Sequence, residues 1–225
     1  VMRKITKLVL RRSDAYLCET KYLVKIAEED GIRPTFWFPN HRKVSGLDNL
    51  PMHENCRKAV FLGLVRKEKG VEDLCRASEL VEDIKVDIYG TLFGDISESF
   101  FDDFDNVSYK GPLNIDEIID TLSEYDVLVL PSYREGYPGV IIEAYSVGIP
   151  VIVSELRGIR EIVDDTSGIF IKPGKVDQIA EAMNILYKND SYYYELQRGA
   201  REKAKFFSAS HWADEFVKIC ESIMD

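Results

Sequence analysis

The segment DVLVLPSYREGYPGVIIEAYSVGIPVIVS, Asp126 to Ser154 of a 225-residue chain, concentrates the residue types that could do chemistry. Glu135 stands on a turn, and Glu143 follows it inside an expected helix. Between them lie Gly136, Tyr137, Pro138 and Gly139. The two glycines remove side chains where main chain must come close to a ligand. A helix opening near Pro138 would leave the amides of Gly139, Val140 and Ile141 free, and with the helix dipole they make a site for a diphosphate or another anion. A carboxylate beside such a site repels the anion unless it has another task, and hydroxyl recognition is the usual one. Two carboxylates flanking an anion cradle suit a ligand built as sugar, diphosphate, sugar, which is a nucleotide-sugar. Taken singly, each acid also reads as an ordinary solvated residue.

A second cluster follows the expected strand KAVFLGLV, where Arg66, Lys67 and Lys69 precede Gly70 and a helix. Cations at a strand's carboxyl end could neutralise a departing diphosphate. The plainer reading is an exposed basic turn. Gly90 and Gly94 are too loosely spaced for the dinucleotide fingerprint, and no GxxxxGK[ST] sequence exists, which excludes a P-loop nucleotidase. Cys18, Cys56, Cys75 and Cys220 form no CxxC pair, and His41, His53 and His211 are equally scattered. No metal is therefore expected, and no cofactor apart from the donor itself. Reduced thiols point to the cytoplasm.

The elements that must carry these residues read as alternating strands and helices. Strands are predicted at 14–18, 35–38, 59–65, 85–89, 106–109, 126–130, 150–153 and 168–171, and several are apolar at successive residues. That continuity fits strands covered on both faces, as in a parallel sheet. Helices are predicted at 71–81, 115–124, 138–147, 176–187, 193–206 and 209–224. The alternation argues for a doubly wound parallel sheet from about Lys58 onward. The polar stretch from His41 to Arg57 reads as a linker. Residues 1–40 are too short for a core of their own and look like a remnant of a second α/β domain.

The charge sum, 29 basic against 39 acidic residues, gives −10 and argues against nucleic acid as a partner. The amino end is the local exception. Arg3, Lys4, Lys7, Arg11 and Arg12 alternate with Met2, Ile5, Leu8 and Val9 at roughly helical spacing. This segment reads either as a basic amphipathic helix on an anionic membrane or as a helix docked on its own domain. Its internal charges exclude a secretion signal, and no apolar run is long enough to span a bilayer.

EGYPGVIIEA resembles the E-x7-E motif of the group 1 retaining glycosyltransferases with the GT-B fold. FLG…KEKGVEDL, DVLVLPS, GIPVIVSELRGIREIV and SGIFIKPGKVDQIAEAM follow the same family in order and spacing, and the likeness covers about Ala59 to Leu186. SDAYLCETKYLVKIAEEDGI…FPN is similar to the end of the family's amino-terminal domain. The resemblance implies a Rossmann-like, carboxy-terminal half of a GT-B fold, divided as 1–40 remnant, 41–57 linker and 58–225 donor-binding domain. It implies a transferase moving a sugar from a nucleotide-sugar to an acceptor hydroxyl with retention, in polysaccharide or glycoconjugate synthesis. Glu135 would contact the donor sugar near the reacting carbon. The backbone of Gly136, Tyr137, Pro138 and Gly139 would cradle sugar and phosphate, Glu143 would bind the ribose, Lys69 the diphosphate and Leu113 the nucleobase. Where the family has arginine this chain has Leu64, and Arg66 is the candidate replacement. The missing partner would be an amino-terminal domain or a separate subunit. Two alternatives stand beside this reading: a non-catalytic nucleotide-sugar-binding or assembly module, with Phe36, Trp37 and Phe38 as a contact or a buried strand, and an epimerase on the same fold.

Overall fold

The computed structural model describes residues 2–44, 47, 50–81, 83–94 and 96–224, with side chains from Thr6 onward. Ser45, Gly46, Asp48 and Asn49 of the expected linker lie outside the described residues. The chain divides into two compact units, residues 44–205 and residues 1–43 with 206–225.

The larger unit is a six-stranded, wholly parallel sheet. In chain order its elements are β3 (Lys58–Leu62), α3 (Val71–Ser78), β4 (Lys85–Tyr89), β5 (Val107–Gly111), α4 (Ile118–Leu122), β6 (Val127–Leu130), α5 (Gly139–Ser146), β7 (Val151–Ser154), β8 (Gly168–Ile171), α6 (Val176–Lys188) and α7 (Asp190–Phe206). The strand order is β5-β4-β3-β6-β7-β8. Counted from the first strand of the unit this is 3-2-1-4-5-6, the Rossmann order, so the fold class expected from sequence is the one observed. The direction of winding reverses between β3 and β6, and that is where ligands sit in such sheets.

Burial explains why the strand runs are apolar without alternation. All of β6 (VLVL) and β7 (VIVS) is buried, and four of the five residues of β3 are. Helices cover both faces. Leu74, Ile141, Ile142, Tyr145, Met183 and Leu186 are at or near zero exposure and fill the layers on either side. Two buried tyrosine hydroxyls in these layers are paired: Tyr145 donates to Ser167 Oγ at 2.8 Å and Tyr193 to the Asp126 carbonyl at 2.9 Å.

Most element boundaries shift by a few residues from expectation, the helix expected over 71–81 ending at Ser78 among them, and three departures have a local cause or form. β3 ends at Leu62, because Gly63 turns out of the strand. The helix expected over 115–124 begins as a single 3-10 turn, Ile115–Glu117, capped by Asn114 and Glu117, before α4. A further 3-10 segment, Glu98–Asp103, carries no helical periodicity in the sequence.

The smaller unit holds α1 (Met2–Leu10), β1 (Tyr16–Cys18), α2 (Lys21–Glu29), β2 (Thr35–Trp37) and α8 (Ala209–Met224). β1 and β2 pair in parallel. Cys18, Ala27 and Ile32 form a small core with Leu10, Tyr16 and Val24 against it. Lys7 pairs with Asp30, and Arg11 donates to the Asp30 carbonyl at the carboxyl end of α2, where cations are favoured. These contacts are those of a helix docked on its own unit. The expected assignment of 58–225 to one domain differs from this partition at the carboxyl end. Trp37 packs edge-on to Trp212 at 5.2 Å, Phe38 does so at 5.5 Å, and the Arg42 and Ser208 backbones bridge. The aromatic run is thus half-buried against α8 within this unit.

Candidate donor site at the switch point of the sheet

The loops that leave β3 and β6 are the two that flank the reversal in strand order. The first carries Arg66 and Lys69, and the second carries Glu135. The structure brings the last two into contact: Lys69 Nζ lies 2.7 Å from Glu135 Oε1. The side chains are 20% and 7% exposed, so this is a largely dehydrated pair rather than a surface one. Ser132 Oγ donates to the same Oε1 at 2.7 Å. Ser132 is fully buried at the end of β6. Among the described residues Glu135 Oε2 takes no hydrogen bond.

Glycines fix these loops by letting main chain touch main chain. A Cβ on Gly70 would lie 2.2 Å from the Pro131 carbonyl oxygen, and Gly70 also sits at φ +70°, where only glycine is at ease. A Cβ on Gly158 would fall 1.6 Å from the Gly136 oxygen, although its own backbone is ordinary and helical. The loops after β3, β6 and β7 are therefore seated on one another. Tyr133 adds a strut: its amide donates to the Glu68 carbonyl at 2.9 Å and its hydroxyl to Asp73 Oδ2 at 2.8 Å. That hydrogen bond, with burial, raises the phenol above its ordinary pKa. A groove of about 570 Å³ beside this strut is lined by Lys67, Glu68, Glu72, Asp73, Arg76, Tyr133 and Arg134.

Helix α5 opens at Gly139 with Pro138 as its N-cap residue, and no side chain caps it. The amides of Gly139 and Val140 take no backbone partner among the described residues. The Ile141 amide, expected to be free, donates to the Pro138 carbonyl at 3.2 Å because the helix closes its first turn tightly. Glu143 is half-buried and shares a helical face with Gly139, four residues earlier. Gly136 has open space where a side chain would project, while Tyr137 is buried. Arg66 Nε is buried without a hydrogen bond, and its ion pair with Glu68 is long at 3.7 Å. Leu113, half-buried, follows the edge strand β5, three strand spacings from β6, or roughly 14 Å. The sequence motif thus gathers Lys69, Glu135 and the α5 opening into one place. Leu113 stands further along the same edge. Ser132, Gly70 and Gly158 were not singled out from sequence, and a serine three residues before Glu135 was the available signal for the first.

The model of the family described as Glycosyl transferases group 1 matches residues 56–189. The chain belongs to that family. Among its relatives, a D-inositol 3-phosphate glycosyltransferase of an Arthrobacter species is 29% identical over 163 residues, covering 66% of this chain and 38% of the relative. The putative teichuronic acid biosynthesis glycosyltransferase TuaC of Bacillus subtilis is 31% identical over 135 residues, covering 60% of this chain and 33% of the relative. The chain thus spans little more than a third of either. The structure of Anabaena HepE in complex with UDP superposes with a TM-score of 0.79 at 16% identity, over 98% of this chain and 67% of that one. That likeness is one of fold. Among the described residues of this group 1 protein, no helix is long and apolar enough to cross a membrane.

Proposed function

We propose that this group 1 chain binds the nucleotide-sugar donor of a retaining glycosyltransferase that builds a polysaccharide or glycoconjugate. The observation that carries the reading is the Lys69–Glu135 pair at the opening of α5, at the switch point of the sheet. The amides of Gly139 and Val140, Lys69 and Arg66 receive the diphosphate. Glu135 Oε2 accepts from the donor sugar, and Glu143 from the ribose. Leu113 meets the base. In transfer, the bond from the anomeric carbon to the β-phosphate oxygen breaks and its electron pair leaves on the diphosphate. The cations and amides stabilise that charge without a metal. The acceptor oxygen bonds the same carbon from the face the diphosphate left and gives up its proton to the departing diphosphate oxygen. The similar structure of Anabaena HepE holds UDP, which favours a uridine diphosphate donor here.

Transfer in this reading needs a further domain or partner subunit to bring the acceptor, since the chain spans about a third of its relatives. The second reading is a non-catalytic donor-binding module. The place of action is the cytoplasm, with exposed Leu8 and Val9 of α1 as the face toward a membrane surface. Calorimetric titration with UDP and GDP tests the site: heat with one of them is expected, and none at millimolar concentration overturns it. Glu135→Ala in the assembled transferase separates the two readings, since only an enzyme loses turnover.

A further inference from the structure

Lys69 is the cation that the donor's diphosphate needs, yet Glu135 holds it at 2.7 Å. Both partners are largely withdrawn from water, so neither is neutralised cheaply by solvent. Ser132, with no exposure, places its hydroxyl on the same carboxylate oxygen at 2.7 Å. Two donors therefore converge on Oε1. We propose that Glu135 is a stand-in anion for the diphosphate: an incoming diphosphate takes Lys69 from it, and Ser132 is the positioning residue that keeps the released carboxylate hydrogen-bonded. This deepens, and rests on, the donor-site reading above.

The physical sequence has no covalent step. Before binding, the positive charge of Lys69 is matched by Glu135. On binding, the ammonium turns to the phosphate oxygens and one hydrogen bond to Oε1 is lost. Ser132 holds the other, so the carboxylate is not left buried without a donor, which would be costly. Lys69 departs as the diphosphate arrives, so Oε1 joins Oε2 in accepting sugar hydroxyls only once the phosphate is seated. The exchange thereby orders the two halves of donor recognition.

The test uses the 225-residue chain and UDP without sugar, with affinities read by calorimetry. Glu135→Gln keeps the shape and releases Lys69, so UDP is expected to bind about fivefold more tightly. Ser132→Ala touches no phosphate, yet UDP is expected to bind about tenfold more weakly, the scale of one hydrogen bond to an ionised group. In the double variant S132A/E135Q that loss should shrink to within twofold of E135Q alone. Should Ser132→Ala fail to fold, a second cycle carries the test: K69Q/E135Q should bind UDP no more tightly than K69Q. An E135Q affinity equal to or below the native one overturns the exchange. So does a Ser132→Ala effect that is absent or persists in E135Q, or a gain from E135Q that survives without Lys69. Native protein that binds UDP while these fail leaves the donor site standing. Native protein that binds neither UDP nor GDP overturns both.

Discussion

Strand β6 has a carboxylate at each end, and the two are treated differently. Asp126, just before the strand, has donors on both oxygens. His53 Nδ1 bonds its Oδ1, while the Arg57 and Lys58 amides donate to Oδ2 at 2.8 and 2.7 Å. Gln197 in turn grips the His53 main chain from both sides, at 2.8 and 2.9 Å. Glu135, just after the strand, has two donors on one oxygen and none among the described residues on the other. A carboxylate held by donors on both oxygens serves to hold the fold together. One with an oxygen to spare has capacity for something that arrives later.

The contrast is broken or sharpened by experiments of decreasing size. Asp126→Ala should cost about 3 kcal/mol of folding stability, because two main-chain amides and an imidazole lose one buried acceptor together. Glu135→Ala should cost less, about 2 kcal/mol, since a single partly exposed ammonium and one hydroxyl lose their acceptor. Denaturant unfolding of both variants decides the point, and equal losses would end the distinction. Lys69→Ala should weaken UDP about tenfold, or about 1.4 kcal/mol, while leaving uridine nearly unchanged. Glu143→Ala should weaken both, and calorimetry with the two ligands separates the roles.

Cysteine reactivity gives a finer probe. Burial, and then the Asp126 charge, pushes the Cys56 thiol well above its ordinary pKa, and burial lifts Cys75 to about 12. Native protein should therefore alkylate first at Cys220, which is partly exposed. Asp126→Ala should open Cys56 to iodoacetamide and Glu135→Ala should not, as peptide mass mapping would report. The smallest effect concerns Asp164. Burial tends to raise its pKa, but Lys203 and Thr166 outweigh that and hold it below its ordinary 3.8. Its contribution is present above that value and fades as pH falls through the lower, folded one. Lys203→Met should flatten the acid limb of the stability profile slightly.

How far the sequence carried the reading follows from which interactions are local. The strands were legible because VLVL and VIVS fit a doubly covered sheet, and the places of Lys69 and Glu135 after two strands were legible from their motifs, but the ion pair between them was not, because it joins side chains 66 residues apart. The free amide assigned to Ile141 failed because first-turn closure depends on the ψ of Pro138, which residue type does not dictate. Ser132 passed unnoticed because a serine after a strand reads as a turn residue, and only three dimensions show its hydroxyl on Glu135. The grouping of α8 with the first forty-three residues rests on Trp37 meeting Trp212, a contact between residues far apart in the chain.

Gly70 and Gly158 give the site a masonry of bare peptide units, with no mortar of side chains to widen or narrow. A protein engineer seeking a new sugar would find nothing to vary along that joint, where even one methyl group forces the courses apart. Variation would have to come from what projects beyond it, such as Arg134 on the outer rim of the Glu135 turn.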